Sequence, residues 1–415
     1  MGPLNAYSGT VPLFFYFLAI FLYGKEITMQ NGITSPVFDK FAQVSATIMN
    51  PALEAWKQQG GKVVGYTCSF VPEELFVAAG LMPFRIRGTG SKSTGLADDY
   101  FEAANICSFV RPCFSQVLSG EYDFLDGAVI GGGCDANRHI LDNWKKSPAK
   151  TPFLHRIFYP HHSAELMAAY FRNQLAELKT GLEQHFGVLL TDQKLWEAIR
   201  FCNEIRDLQK ELYVLRKAEH PPISGSETVA VILAGCSMPK EQYRADLKVL
   251  LDELRGAPVP ATKYKARIMI VGPGHDDTSI CDIVEDQGGL VATDLTCFGG
   301  KIIFGGVAES GPDPLQAIAD YQVLNRPFCP KNLGAHPFIN REIFSRIKDY
   351  KLDGVIGQTF VCCETWSGEL YILNKELKEA GVPMLRIERE YASDSSGQLQ
   401  TRIQAFIETL SGGAL

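Results

Sequence analysis

Asp126-Gly-Ala-Val-Ile-Gly131 and Leu352-Asp-Gly-Val-Ile-Gly357 are short apolar runs that read as buried strands, and each is followed within a few residues by a cysteine, Cys134 and Cys363. Two further runs share the arrangement: Lys62-Val-Val-Gly-Tyr66 precedes Cys68, and Gly289-Leu-Val-Ala-Thr-Asp-Leu295 precedes Cys297. In open α/β sheets, ligands bind beyond the carboxyl ends of the strands. Thiolates delivered there from both halves of the chain can converge on one interdomain site. With Cys107 and Cys329 they make six of eleven cysteines, an arrangement that looks like a cage for a metal cluster. The alternative is plain packing, since free cysteine behaves as a small core hydrophobe.

The runs also set the fold class, α/β with two doubly wound domains. Residues 1–37 read as an N-terminal extension outside the core. Residues 38–160 alternate helical periodicity with apolar runs and glycines and form a first α/β domain. A helical segment follows over 161–226. Its first helix runs from Ser163 to Phe186; Thr191 caps a second, in which Leu195, Ile199, Cys202, Ile205, Leu208, Leu212 and Leu215 recur at three- and four-residue steps. Cys202 lies on that stripe and reads as core. The break His220-Pro-Pro-Ile-Ser-Gly-Ser226 closes the segment, and a second α/β domain spans 227–415, with a strand at Ala266–Val271, a turn at Gly272-Pro-Gly274 and a helix capped by Asp277 or Thr278. Cys281, on the apolar face of that helix, and Cys236, in an alanine-rich run, also read as core.

A chain of 415 residues with 46% hydrophobic residues can bury a full core in each domain. The odd cysteine count and the lack of a credible secretory signal point to a reducing, cytoplasmic setting, and a net charge of -7 without a basic run argues against nucleic acid. Val11 to Tyr23 is uniformly apolar but only 13 residues long, too short to span a bilayer, and it lacks a charged n-region and cleavage site. No membrane role is expected. Met29 reads as an alternative start, with a packed or peripheral helix as the other reading of the apolar stretch.

Common catalytic signatures are missing. Gly272-Pro-Gly-His-Asp-Asp277 lacks the third glycine of a dinucleotide fingerprint, and Gly88-Thr-Gly-Ser-Lys-Ser-Thr-Gly95 lacks the ending of a phosphate loop. No cysteines are spaced C-x-x-C, there is no H-E-x-x-H, and His161-His162 reads as a surface or interdomain feature. Dispersed thiolates without histidine suit an iron–sulfur cluster caged by tertiary structure.

Gly65-Tyr-Thr-Cys-Ser-Phe-Val-Pro-Glu-Glu-Leu-Phe-Val-Ala-Ala-Gly-Leu-Met-Pro83 resembles the signature of the 2-hydroxyacyl-CoA dehydratase and benzoyl-CoA reductase family. The resemblance continues in order through Asn105-Ile-Cys-Ser-Phe-Val-Arg111, Phe124-Leu-Asp-Gly-Ala-Val-Ile130 with Cys134-Asp135, Asp294-Leu-Thr-Cys-Phe-Gly-Gly300 and Arg326-Pro-Phe-Cys-Pro330. It ends with Cys363-Glu364, Gly381-Val-Pro-Met-Leu-Arg-Ile-Glu-Arg-Glu-Tyr391 and Gly397-Gln-Leu-Gln-Thr-Arg402, and so covers nearly everything after residue 38.

The resemblance implies two flavodoxin-like domains with a helical part, and a [4Fe-4S] cluster held between them by Cys107, Cys134 and Cys363. Cys362 competes with Cys363 for the last place, and Cys113 is left near the cluster or in the core. Three ligands for four irons leave one iron open, as in catalytic metal sites. An ATP-hydrolysing iron–sulfur activator protein would supply a low-potential electron, the acyl-CoA thioester carbonyl would be reduced, and the resulting ketyl radical anion would expel the neighbouring hydroxyl. Glu74 matches a family acid near the reacting group and would protonate that hydroxyl, with a carboxyl pKa raised by the dry surroundings. Its other reading is an ordinary exposed acid at a helix start.

Cys68, Cys297 and Cys329 match positions of the double-cubane branch, in which six cysteines hold a [8Fe-9S] double cubane in a homodimer that reduces small molecules. The sequence is therefore expected to encode a dehydratase or reductase subunit, acting as a homodimer or with a related subunit, or else a double-cubane reductase, or a non-enzymatic electron carrier or binding protein.

Overall fold

Strands β1 (Val63–Tyr66), β2 (Met82–Arg85), β3 (Gly127–Gly131) and β4 (Leu154–Ile157) form one sheet in the order β2-β1-β3-β4, with every pairing parallel. A second sheet repeats that order with β5 (Ala266–Val271), β6 (Gly289–Leu295), β7 (Gly354–Phe360) and β8 (Met384–Arg389), as β6-β5-β7-β8. This is a computed structural model, and it describes residues 29, 32–89, 94–101, 106–258, 263–274, 276–326, 329–391 and 396–412.

Strands β1, β3, β6 and β7 are buried along their whole length and β5 at all but Arg267, which explains why they read as apolar runs rather than alternating ones. The edge strands β4 and β8 are only partly covered. Both sheets have the strand order of the first part of a flavodoxin-like doubly wound sheet, so each has a crevice where the order reverses, between β1 and β3 and between β5 and β7.

Four helices separate the sheets: Glu165–Phe186, Asp192–Leu215, Gly225–Gly235 and Lys240–Gly256. The Thr191 hydroxyl caps the second of them by accepting from the Lys194 amide, and Cys202 is buried on its inner stripe. The break at 220–226 leads not into a strand but into a helix that packs on β6 of the second sheet. It ends one helix and starts Gly225–Gly235, which is buried on all sides and begins with a reciprocal capping box between Ser224 and Glu227. The first strand of the second sheet begins only at Ala266.

The expectation that residues 1–37 lie outside the core fails at Met29 and Ser35, both buried. Helix Pro36–Ala46 packs on Gly225–Gly235, and Ser35 caps it while donating to Glu253 at 2.6 Å. A short helix with Phe38, Phe41 and Val44 on one face needs such a partner. Val11 to Tyr23 lies outside the described residues, as do residues 90–93 of the glycine-rich loop. Among the described residues no helix is long and apolar enough to cross a membrane.

Backbone hydrogen bonds tie the halves together: Arg85 N–H donates to Cys236 O at 2.8 Å and Ser108 N–H to Val361 O at 3.1 Å.

Candidate metal centre

All eleven cysteines are free thiols. Six of them, Cys68, Cys107, Cys134, Cys297, Cys329 and Cys363, line one cavity of about 120 Å³ between the two sheets. Four arrive there because they directly follow strands. Cys68 lies two residues beyond β1, Cys297 two beyond β6, and Cys134 and Cys363 sit at the N-termini of helices Asp135–Lys146 and Glu364–Glu379 after β3 and β7. Cys107 precedes helix Val110–Leu118, and Cys329 follows the π-helical turn Tyr321–Asn325. The first half of the chain supplies three thiols and the second half three.

Each of the six is held by its own carbonyl, which accepts one hydrogen bond. The donors are the amides of Val71, Val110, Arg138, Asn332 and Ser367 for Cys68, Cys107, Cys134, Cys329 and Cys363, and the Arg85 guanidinium for Cys297. Close packing adds to this. A Cβ on Gly131 of β3 would lie 2.5 Å from Cys68 Cβ, so glycine there is a condition for the position of Cys68. The Cys297 loop is shaped by buried Asp294, whose carboxylate accepts from Tyr213 Oη, Thr296 N and Oγ1 and Gly300 N. Burial pushes that carboxyl up, but these hydrogen bonds outweigh it and hold its pKa below the ordinary aspartate value.

The thiols can be grouped by their nearest electrostatic neighbours into two sets of three. Cys107 lies in hydrogen-bond contact with Cys363 and in the field of Cys134; Cys329 lies in the fields of Cys297 and Cys68. Each set takes two cysteines from one half of the chain and one from the other. Cys134 bridges the sets: burial first, then the nearby Cys68, Cys363 and Cys297, pushes its thiol up to about 12. Burial likewise raises Cys68 and Cys329. Cys363 moves the other way, to about 7, because the Cys107 thiol donates to its sulfur.

The donor set fits an iron–sulfur cluster. Among the described lining residues there is no histidine, aspartate or glutamate, and aromatic rings such as Phe70, Phe109, Phe360 and Trp366 keep the walls apolar. Among the described residues no three of His, Cys, Asp or Glu gather tightly enough for a single metal ion. The sulfurs are instead spread around a void.

The remaining cysteines do not reach this cavity. Cys113, Cys202, Cys236 and Cys281 are buried elsewhere. Cys363 rather than Cys362 lines the cavity, and Cys362 takes a left-handed φ of 62° at the turn before it. His161 accompanies the site from outside, with Nε2 3.0 Å from the Gly133 carbonyl.

Glu74 is not brought to the cysteines, and it is not an exposed acid either. It is fully buried, ion-paired with Arg206, on a smaller polar cavity behind the first. Arg85 borders both cavities. The sequence reading missed Arg85 and the neighbouring buried cations Lys301 and Arg326. Their signal was position, since Lys301 and Arg326 lie within four residues of Cys297 and Cys329.

Residues 68–410 match the family described as 2-hydroxyglutaryl-CoA dehydratase, D-component. One subunit of the benzoyl-CoA reductase of Thauera aromatica is 30% identical over 364 residues, 84% of this chain and 90% of its own length. The beta subunit of (R)-2-hydroxyglutaryl-CoA dehydratase from Acidaminococcus fermentans is 27% identical over 390 residues, covering 91% of this chain and 99% of the relative. The beta subunit of (R)-phenyllactyl-CoA dehydratase from Clostridium sporogenes is 25% identical over 373 residues, with 90% and 98% covered. The chain belongs to the 2-hydroxyglutaryl-CoA dehydratase D-component family and is an enzyme of that family.

Proposed function

We propose that this chain is a low-potential iron–sulfur reductase of the dehydratase family, whose six converging cysteines hold a [8Fe-9S] double cubane. The observation that carries this reading is the convergence of all six thiols on one cavity. A single [4Fe-4S] cluster on Cys107, Cys134 and Cys363 would leave Cys68, Cys297 and Cys329 opening onto the same void without a task. Such a cluster, once bound, supplies single electrons at very low potential to a small-molecule substrate.

The residues of the chain supply the rest. The aromatic walls keep the cavity largely apolar, and the six engaged carbonyls hold the backbone that carries the thiols. Electrons would come from an ATP-hydrolysing iron–sulfur activator, because the chain has no nucleotide motif of its own. The protein would work as a homodimer in the reducing cytoplasm, where its free thiols persist.

The second reading is a CoA-thioester dehydratase or reductase subunit with one [4Fe-4S] cluster, and the names of the relatives favour it. Anaerobic purification followed by iron and sulfide analysis separates the two, at about eight irons per chain for the first and about four for the second. Four irons, together with saturable binding of an acyl-CoA, would overturn the double-cubane reading. A chain that stays iron-free after anaerobic reconstitution would sink both.

A further inference from the structure

Three cations are buried against the cysteine cavity without a carboxylate to balance them. Lys301 is 3% exposed. Its ammonium lies 3.6 Å from Cys297 Sγ, 3.4 Å from the Gly272 carbonyl and 3.9 Å from the centroid of the Trp366 ring that lines the cavity. Arg85, equally buried, donates through Nη1 to the Cys297 carbonyl and lies 3.8 Å over the Phe298 ring, while its Nε has no partner. Arg326 donates to the carbonyls of Lys301 and Ser69 and to Gln322, and its Nε is also unpaired.

None of the three forms an ion pair with a described residue within 4.0 Å. The acids of the neighbouring polar cavity are already engaged, Glu73 by Lys240 and Glu74 by Arg206. A buried charge is costly unless an opposite charge meets it. The missing negative charge lies beside these cations in the form of the cavity's sulfurs: Arg85 borders the cavity, Lys301 packs behind its Cys297 and Trp366, and Arg326 behind its Phe70.

We propose that Lys301, Arg85 and Arg326 are the built-in counter-charge of the iron–sulfur cluster, positioning residues that raise its reduction potential. The inference rests on the reading that the six cysteines hold such a cluster. Thiolate ligands make the site anionic, and each added electron makes it more so. A fixed cation at 3.6 Å from a ligand sulfur therefore stabilises the reduced form more than the oxidised one. The three cations would hold the cluster within reach of its electron donor, in a cavity whose apolar walls would otherwise make reduction harder.

The test is an anaerobic redox titration of the reconstituted full-length protein, followed by electron paramagnetic resonance, for the parent, Lys301→Met, Lys301→Arg and Arg85→Met. Lys301→Met is expected to keep the parent's iron and sulfide. At the parent's midpoint potential its ratio of reduced to oxidised cluster should fall at least tenfold, about 59 mV for a one-electron couple. Lys301→Arg should restore the ratio, and Arg85→Met should move it in the same direction as Lys301→Met.

Iron lost from Lys301→Met but kept by Lys301→Arg would also support a role for the charge. An unchanged midpoint in Lys301→Met at full iron content would overturn the proposal, as would loss of iron from both Lys301 variants. The cluster reading is judged separately, on the iron content of the parent before any variant is made.

Discussion

Arg206 fixes Glu74 in the polar cavity, and the pair is almost completely out of water, with side-chain exposures of 12% and 0%. Asn203 Oδ1 accepts a second guanidinium bond at 2.7 Å. Removing one partner of a buried pair leaves the other charge uncompensated, at a cost of about 3–5 kcal/mol. Glu74→Gln is therefore expected to lower the stability of the protein by that order in denaturant unfolding and to leave its iron content unchanged. Loss of the cluster at unchanged stability would return Glu74 to the metal centre. The sequence marked Glu74 as a notable acid but not its surroundings, because its partner lies 132 residues away on another helix. The three unbalanced cations were passed over for a related reason: Lys301 and Arg326 stand beside cysteine motifs, but a lone Lys or Arg there looks like a solvated charge until tertiary packing buries it.

Short elements joining the two halves carry a pH dependence. Buried Asp276 accepts from Gly88 N at 2.8 Å and from Tyr391 Oη at 2.9 Å, and its own carbonyl accepts from Thr89 Oγ1. Burial, with Asp277 nearby, raises its carboxyl to about 6 despite the opposing pull of Tyr391, Arg87 and the Gly88 amide. The folded chain thus holds a proton that the unfolded chain releases near 4. Stability contributed by this group is present below about 4 and falls as pH rises towards 6, by about 3 kcal/mol in all. Asp276→Asn should lose that slope, so the difference between parent and variant unfolding free energies should itself change by about that amount from pH 4 to 7. A difference that does not vary with pH would show that Asp276 titrates normally.

The strands at this scale were legible in advance. Ala266–Val271 and Gly289–Leu295 read as they fold, because parallel strands covered on both faces must be largely apolar. The helix Gly225–Gly235 was hidden by the same logic. An apolar run of that length carries no amphipathic period when every side is covered, and the Pro-Pro-Ile-Ser-Gly stretch before it looked like a domain boundary.

For the whole molecule, the six cysteines make the proposed cluster a clamp between halves that also meet through hydrogen bonds and a shared apolar cluster joining Tyr66, Phe70 and Phe76 to Leu315, Ile318 and Tyr321. Each three-thiol set crosses the division, so neither half can keep a complete set if the two separate. A ligand that binds only the closed fold stabilises it by mass action, by about 2.7 kcal/mol when its concentration is a hundredfold above its dissociation constant. Stripping the metal anaerobically with a chelator should lower the unfolding temperature by several degrees, and reconstitution should restore it. The amides of Val71, Val110, Arg138, Asn332 and Ser367, each donating to a cysteine carbonyl, are the local reporters. Their hydrogen exchange should quicken on metal removal while that of β5 and β7 stays slow, since those strands are buried within an intact sheet. Equal exchange with and without metal at all five amides, and an unmoved unfolding temperature, would mean that the six thiols carry no clamp and that the halves stay closed through packing alone.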